Sequence, residues 1–310
     1  MVNFYKRIKN CFFIVLILAF ALSMTSCVQS SQFKIDEDNI YNFENCKSDD
    51  VYNIERVELS GSSSKKCASY KFTYRSDGYE IKGYISFPLS AIESQKPCKV
   101  ILYNRGGNGD FGALDDDSTA NICAEVGDRI VIASQYRGGG GSGGKDKFGG
   151  DDLNDVIKLI DLCEKEFKFA DMEDFCVAGV SRGGMMTYMT ARRDKRVKRI
   201  IVVSAVSDLF QSYKERDDMK EVLTRCIGGS PEDIPQEYEK RSAVYWPDDI
   251  KVPVLIIHSK QDRQVAYSQA EAMNSKLKGK TECKFISHDD DVHGIHSQDF
   301  SAINDWLGNK

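Results

Sequence analysis

The feature that most constrains this chain is a Gly-x-Ser-x-Gly pentapeptide that follows an apolar run of strand length and precedes a helix-like segment. The run from Phe175 to Val180 ends at Ser181, which is flanked by Gly179 and Gly183. The two glycines leave room for a tight turn in which a Cβ would clash. The pattern predicts a nucleophile elbow, a strained strand–turn–helix junction that projects the Ser181 hydroxyl above a sheet.

Further apolar runs of strand length alternate with helix-like segments along most of the chain. These runs lie at residues 99–103, 129–135, 200–206, 252–258 and 282–288. Continuous apolar strands alternating with helices indicate a mostly parallel sheet covered on both faces. We therefore predict the α/β class, in which the chemistry lies at the carboxyl ends of the strands. Together with the nucleophile elbow, this pattern predicts an α/β-hydrolase fold.

Two segments extend this plan. Three strand-like runs at residues 51–59, 69–74 and 79–87, the last two joined by an Asp77-Gly78 turn, predict an antiparallel edge at the start of the domain. Residues 209–248 are polar and helical in pattern, and they predict a small lid inserted into one domain that spans residues 51–310.

The N-terminus has the pattern of a targeting segment. Three basic residues precede an apolar stretch at residues 11–22, which is short for a membrane helix, and small residues then lead to Cys27. We predict a lipoprotein-type signal peptide at 1–26, lipidation of Cys27, a tether at 27–50, and an exported bacterial lipoprotein held at the periplasmic or cell-surface side of a membrane. Met24 stands where a Leu-like residue is usual, so an ordinary cleaved signal peptide and a short uncleaved anchor remain alternatives.

Composition limits the partners and cofactors. The net charge of −5 argues against a nucleic acid bound through its phosphates. The ten cysteines form no CxxC pair, so we predict no metal site. Export would permit disulfides, and Cys46 and Cys67 could pair across a polar loop.

The loop at residues 138–144 contains Gly-x-Gly-x-x-Gly, a pattern associated with dinucleotide binding. In so glycine-rich a run the match is nearly automatic. The next helix also begins too late for its N-terminus to meet a pyrophosphate, and we predict no cofactor.

A serine nucleophile needs a base and a group that orients the base. Asp262 follows a buried strand, and the order Ser, Asp, His is that of α/β-hydrolases. Asp262 is therefore the predicted acid, and Asp208, one strand earlier, is the alternative.

The base should lie on the loop after the last strand. His293, followed by Gly294 and preceded by an acidic run, has this position and is the predicted base. His288 lies at the end of the strand and His296 at the start of the helix, where solvated or capping roles are expected.

The oxyanion hole needs two donors. The first predicted donor is the Arg182 backbone N–H, and the second comes from the Arg105-Gly106 loop after a buried strand. Tyr136 and Arg137, at the end of another strand, are candidates for shaping the substrate pocket wall or packing it.

Together these motifs resemble the catalytic domain of the prolyl oligopeptidase family of serine hydrolases, over residues 76–294. The matching stretches are Ser76–Gly78 through Lys82–Tyr84, Asn104–Gly107, Tyr136–Gly138, Phe148–Gly150 with Asp155, Gly179–Gly184, Val252–His258 with Asp262, and Val292–Gly294. The resemblance implies Ser181 as nucleophile, Asp262 as orienting acid and His293 as base.

Three features depart from the family pattern. Family oligopeptidases carry a large β-propeller, for which the roughly seventy residues between Cys27 and the first core strand would be too few. Arg105 stands where many members have Tyr or His, and Ser259 replaces a common Gly.

The sequence thus predicts a serine hydrolase that cleaves an ester or peptide bond of a small molecule or short peptide through an acyl-enzyme. A peptidase is favoured on family grounds, and a carboxylesterase for carbohydrate or small acyl esters is the alternative. An inactive, hydrolase-like binding protein is the competing class. The oligomeric state does not follow from the sequence.

Overall fold

The strands of this chain join into one mixed sheet with the order β1-β2-β3-β5-β4-β6-β7-β8-β9. The computed structural model describes residues 39–46 and 48–309. The strands are β1 (Val51–Val57), β2 (Cys67–Ser76), β3 (Tyr79–Pro88), β4 (Cys98–Asn104), β5 (Arg129–Ser134), β6 (Ala170–Val180), β7 (Arg199–Val203), β8 (Val254–Ser259) and β9 (Cys283–His288).

The first three strands pair antiparallel, β3 pairs antiparallel with β5, and every pair from β5-β4 to β8-β9 is parallel. The predicted α/β-hydrolase fold, with its antiparallel N-terminal edge, is confirmed.

Helices cover both faces of the sheet. They are α1 (Leu89–Ser94), α2 (Ser118–Glu125), α3 (Leu153–Lys165), α4 (Arg182–Arg193), α5 (Leu209–Glu215), α6 (Asp217–Ile227), α7 (Pro235–Arg241), α8 (Tyr267–Leu277) and α9 (Asp299–Leu307). Successive residues of a strand point to opposite faces. In β4, Val100 and Leu102 therefore pack in the larger core with α3, α4 and α8, and Ile101 packs in the smaller one with α2 and α9.

The packed domain begins earlier than the predicted boundary at residue 51. Tyr41 and Phe43 are buried among the aromatic rings of Phe87 and Phe169, so the end of the predicted tether packs on the domain. The signal peptide, Cys27 and the remainder of the tether lie outside the described residues. Within residues 39–46 and 48–309, none of the helices has both the length and the hydropathy required to cross a bilayer.

The segment predicted as a lid is a helical insertion between β7 and β8. It contains α5, α6 and α7, and it packs through Leu209, Leu223 and Tyr238, which are buried. Its position beside the carboxyl ends of the strands places it next to the candidate site.

The disulfide considered between Cys46 and Cys67 is absent. Both residues have free thiols, because Cys46 packs against the larger core and Cys67 packs in the smaller core on the opposite face of the sheet. The thiol of Cys67 donates instead to the Ala120 carbonyl on α2 (3.7 Å).

Candidate active site

The predicted elbow is present at the junction of β6 and α4. Ser181 has φ 59° and ψ −125°, a conformation that costs a non-glycine residue about 1–3 kcal/mol. Hydrogen bonds to the neighbouring strand end hold it there: the Ser181 N–H donates to the Val203 carbonyl (3.0 Å), and its carbonyl accepts from the Val206 N–H (3.1 Å).

The two motif glycines are required by close backbone contacts. A Cβ on Gly179 would lie 2.2 Å from the Gly183 carbonyl oxygen, and a Cβ on Gly183 would lie 1.9 Å from the Asn104 carbonyl oxygen. Both separations are far below van der Waals contact, so side chains at these positions would force the elbow apart.

The predicted acid and base lie together. Asp262 Oδ2 is 2.8 Å from Nδ1 of His293 and 3.4 Å from Nε2 of His258, while Asp262 Oδ1 accepts the N–H groups of Gln264 (2.8 Å) and Val265 (3.1 Å). Burial raises the pKa of Asp262, but hydrogen bonds from His258, His293 and the two N–H groups outweigh burial and hold that pKa well below its ordinary value. The carboxylate is therefore charged across the neutral pH range.

Asp208, the alternative acid, caps a helix and forms no hydrogen bond with His293. Asp208 is the N-cap of α5, and its Oδ1 accepts the N–H groups of Phe210 (2.9 Å) and Gln211 (3.1 Å). The geometry thus favours Asp262 as the partner of His293.

The register of the sheet brings the serine and the acid–base pair to one edge. Val180 pairs with Val203, and Val203 pairs with Ile257, so Ser181 and the loop that holds Asp262 leave the sheet at the same level. Val180 and Gly294, the residue after His293, also line one cleft.

The loop after β4 lies against the serine. An ideal Cβ on Gly106 would lie 3.3 Å from the Ser181 Cβ and 4.0 Å from its Oγ, so the Gly106 backbone passes directly beside the hydroxyl. Arg182 is the first residue of α4, and a backbone N–H in the first turn has no intrahelical acceptor. Both backbone segments that were predicted to supply oxyanion donors therefore lie next to Ser181.

The Arg105 side chain does not point into the site. It is buried, and its guanidinium donates to the carbonyls of Gln135 (2.8 and 3.0 Å) and Gly109 (2.8 Å). It therefore ties the β4 loop to the end of β5, and any contribution of Arg105 to the oxyanion hole belongs to its backbone.

Of the two roles considered for Tyr136 and Arg137, the structure favours packing over forming the pocket wall. Both are buried, and neither lines the cavity at Ser181. The Tyr136 hydroxyl donates to the Arg105 carbonyl (3.2 Å), and Arg137 forms a bidentate pair with Asp155, so both residues pack beneath the site. A strand end marks the correct edge of the sheet but does not fix which way a side chain points.

Sequence reasoning missed the role of the Arg182 side chain. Its guanidinium is buried, forms a bidentate pair with Asp146 (2.6 and 2.8 Å), and donates to the Gly107 carbonyl (3.0 Å). It also pairs with buried Asp152. The elbow helix and the β4 loop are thereby joined by one cation. The only sequence signal was the acidic cluster after the glycine-rich loop.

That glycine-rich loop supports the site through its backbone. A Cβ on Gly139 would lie 2.1 Å from the Gly109 carbonyl oxygen, so the loop packs tightly on the β4 loop. The next helix, α3, begins at Leu153, which is too late to place its N-terminus against a ligand of the loop.

A cavity of about 260 Å³ opens beside Ser181. Its wall is formed largely by the insertion between β7 and β8 and by two aromatic rings. Its lining includes five large apolar side chains: Phe111, Phe148, Met219, Val222 and Leu223. Arg216 and Asp218, which pair with each other, also line it.

Comparison with known proteins identifies relatives with the same organisation. The sequence profile described as the prolyl oligopeptidase family matches residues 116–307. The uncharacterized peptidase YtmA of Bacillus subtilis (strain 168) is 28% identical over 218 residues, which cover 70% of this chain and 82% of that protein. Dipeptidyl-peptidase 5 of Aspergillus oryzae is 23% identical over 75% of this chain but only 33% of its own length. The chain thus spans about a third of such longer relatives.

Solved structures show the same fold at low identity. An acylaminoacyl peptidase in complex with Z-Gly-Gly-Phe-chloromethyl ketone superposes with a TM-score of 0.67 at 20% identity, over 79% of this chain and 42% of its own. An acetyl xylan esterase from Paenibacillus sp. R4 superposes with a TM-score of 0.62 at 18% identity, over 87% of this chain and 92% of its own.

Proposed function

The chain belongs to the prolyl oligopeptidase family, and from that premise we propose that this serine hydrolase cleaves short peptides through an acyl-enzyme on Ser181. The observation that carries the proposal is the Asp262–His293 pair, which leaves the sheet at the same edge as the strained Ser181 elbow. A nucleophile, a base and an orienting acid on neighbouring strand ends are the parts that acyl transfer requires.

Each group has a defined task. Asp262 accepts the Nδ1–H of His293, which leaves Nε2 of that ring free to take the Ser181 proton as Oγ attacks the carbonyl carbon. The protonated His293 then donates to the leaving amine, and the C–N bond breaks to leave an ester on Ser181. Water then attacks this ester while His293 takes its proton. The bond to Ser181 Oγ breaks, His293 returns the proton to Oγ, and the carboxylic acid product leaves.

Negative charge on the tetrahedral oxygen would be met by the backbone N–H groups of Arg182 and Gly106. Removing one such donor typically costs about 3 kcal/mol of transition-state stabilisation. The buried Arg182–Asp146 pair contributes by holding the β4 loop in place against the elbow.

The cavity beside Ser181 supports a preference for an apolar acyl group. Its lining offers Phe111, Val222 and Leu223, whereas Arg216 and Asp218 already pair with each other and Arg182 pairs with two aspartates. We therefore expect peptide substrates with an apolar residue on the acyl side of the cleaved bond. The peptidase relatives YtmA and dipeptidyl-peptidase 5 support the choice of peptides.

A carboxylesterase is the second candidate. The acetyl xylan esterase that superposes on this chain is matched over 92% of its length, whereas the acylaminoacyl peptidase is matched over 42%. A catalytic domain of esterase size with an open cavity fits small acyl esters equally well.

The testing experiment is active-site labelling. The full-length chain and Ser181→Ala are treated with a fluorophosphonate, and intact mass is measured. One adduct on the wild type and none on the variant is the expected result; a folded wild-type protein without an adduct would favour the hydrolase-like binding protein. Aminoacyl and dipeptidyl amides are then compared with p-nitrophenyl esters, and a kcat/KM confined to esters would select the second candidate.

Membrane tethering through lipidated Cys27 is part of the proposal and rests on the N-terminal sequence pattern alone. Expression with a labelled fatty acid, in wild type and Cys27→Ala, tests it. Label in both proteins, or in neither, contradicts the assignment.

A further inference from the structure

Two histidines and an aspartate that the proposed reaction does not use converge at the base of the loop that carries His293. His288 ends β9, His296 lies in the loop before α9, and Asp299 is the first residue of α9. Nε2 of His288 is 2.7 Å from Asp299 Oδ1, and Nδ1 of His296 is 3.3 Å from Asp299 Oδ2. One donor atom from each of the three residues lies within 4.8 Å of the other two.

Both ring nitrogens of His296 face carboxylates, but a neutral ring can donate a hydrogen bond to only one of them. Its Nε2 is 2.9 Å from Asp290 Oδ2, and its Nδ1 faces Asp299 Oδ2, so both nitrogens look at carboxylates. A neutral imidazole carries a single N–H. When that N–H donates to Asp290, the Nδ1 lone pair points towards an Asp299 oxygen, and the two electron-rich atoms repel each other. A cation between them could bind to both and remove the repulsion.

The surroundings of Asp299 favour the same occupant. This carboxylate is buried, with 2% of its surface exposed, and its Oδ2 accepts the His296 backbone N–H (2.9 Å), but no lysine or arginine pairs with it within the described residues. A buried charge is stable only when it is paired or binds a metal. The two imidazoles face it from two sides and complete a nitrogen–oxygen donor set.

We propose that His288, His296 and Asp299 bind a divalent cation of the zinc class. Imidazole and carboxylate donors bind Zn²⁺ at about 2.0–2.2 Å, and three protein ligands with a water in the fourth position are a common arrangement. Donor atoms around such an ion lie about 3.3 Å apart in tetrahedral geometry. The distance from Asp299 Oδ2 to Nδ1 of His296 already has this value. His288 now contacts the other oxygen, Oδ1, so its ring would have to shift for one ion to bind all three residues. Asp290 then orients the His296 ring from behind, as carboxylates do for zinc-bound histidines.

Binding would join the end of β9 to the start of α9. The loop between them, residues 289–298, contains His293, so the ion would clamp the two ends of the segment that presents the proposed base. The proposed site departs from the sequence prediction of no metal site, which rested on the absence of CxxC pairs. The donor set comes instead from two histidines and an aspartate whose spacing matches no familiar signature.

The test is metal binding without substrate. The purified full-length chain is stripped with EDTA and titrated with ZnCl₂ by calorimetry, and thermal unfolding is recorded with and without the ion. We expect one equivalent to bind and the Tm to rise. His288→Gln and His296→Gln should lose this binding, and Asp290→Asn should weaken it roughly 10–100-fold. His293→Gln is the matched control, since it removes a histidine from the same loop but lies outside the cluster, and it should bind as the wild type does.

Co²⁺ substitution of the wild type identifies the donors even where a variant does not fold. Visible bands of a nitrogen–oxygen site without thiolate charge transfer support the proposal, whereas thiolate bands assign the ion to the free cysteines and overturn it. A folded wild type that binds no Zn²⁺, or a loss in His293→Gln equal to that in His288→Gln, also overturns it. Fluorophosphonate labelling of Ser181 is measured separately. A protein that is labelled but binds no Zn²⁺ would contradict the metal site and leave the proposed hydrolase function intact.

Discussion

Asp262 Oδ2 lies 2.8 Å from Nδ1 of His293, although 31 positions separate the two residues in the chain. Parallel pairing of β8 with β9 is what brings them together, because both residues follow strand ends at the same edge. The contact fixes which ring nitrogen of His293 carries the proton, and the proposed mechanism depends on it.

The contact predicts a sharp difference between two aspartates. Asp262→Asn should keep the fold but lower kcat on the order of 10⁴-fold, because an amide can donate to Nδ1 and select the wrong tautomer. Asp208→Asn is the matched control, since asparagine is an equally good N-cap. Steady-state kinetics of both variants decide the point; a severe loss in Asp208→Asn alone would reassign the acid.

The elbow should not tolerate a methyl group on its second glycine. Gly183→Ala places a Cβ 1.9 Å from the Asn104 carbonyl oxygen, so we expect the unfolding free energy to fall by about 1–3 kcal/mol or more and labelling of Ser181 to be lost. At Gly143 the nearest atom would be 3.6 Å away, and Gly143→Ala should change little. Urea denaturation measures both, and equal stabilities would refute the assigned strain.

Removing the buried Arg182 guanidinium, which lies behind the elbow, should lower the free energy of unfolding. Arg182→Met leaves Asp146 and Asp152 without their partner, and breaking such a pair from one side costs about 3–5 kcal/mol. Arg263 is 86% exposed and lies 3.7 Å from Asp291, so Arg263→Met should change stability by about 0.5 kcal/mol or less. Chemical denaturation compares the two, and a small loss in Arg182→Met would count against the structural role of this side chain.

The same pair predicts how stability varies with pH. Burial raises the pKa of Asp146, but the charge and hydrogen bonds of Arg182 outweigh it, and the folded pKa lies below its unfolded value of about 3.9. A depressed folded pKa adds stability above the unfolded pKa that is lost as pH falls through the folded one. Wild-type unfolding free energy should therefore drop below about pH 4, and Asp146→Asn should show a shallower drop. Asp151→Asn, at an exposed position, controls for the removal of a charge.

The apolar cavity wall predicts substrate preference. Val222→Glu introduces a charge beside Ser181, so kcat/KM for substrates with an apolar acyl-side residue should fall about 10–200-fold. Substrates with glycine there should be affected much less. Fluorophosphonate labelling should persist, because the reacting groups are untouched. An equal loss for both substrate classes would show that the cavity does not hold the acyl group.

The sequence by itself determined the elements that depend on local pattern. The apolar runs placed the core strands, the glycines around Ser181 placed the elbow, and the alternation of strands and helices gave the α/β-hydrolase fold. These predictions succeed because burial and tight turns restrict which residues can occupy neighbouring positions. Two short helices, α1 and α2, had no such pattern and were not predicted.

Only the tertiary structure decided which distant side chains meet. Asp208 and Asp262 both follow buried strands, and only the pairing of strands shows that one caps a helix while the other contacts His293. Strand ends likewise brought Tyr136 and Arg137 to the correct edge, but packing turned both side chains beneath the site. The Arg182 pairs and the His288–His296–Asp299 cluster depend on the relative placement of separate elements. These contacts form because a charged group that is removed from water must find a partner, and no local pattern records which distant residue that partner will be.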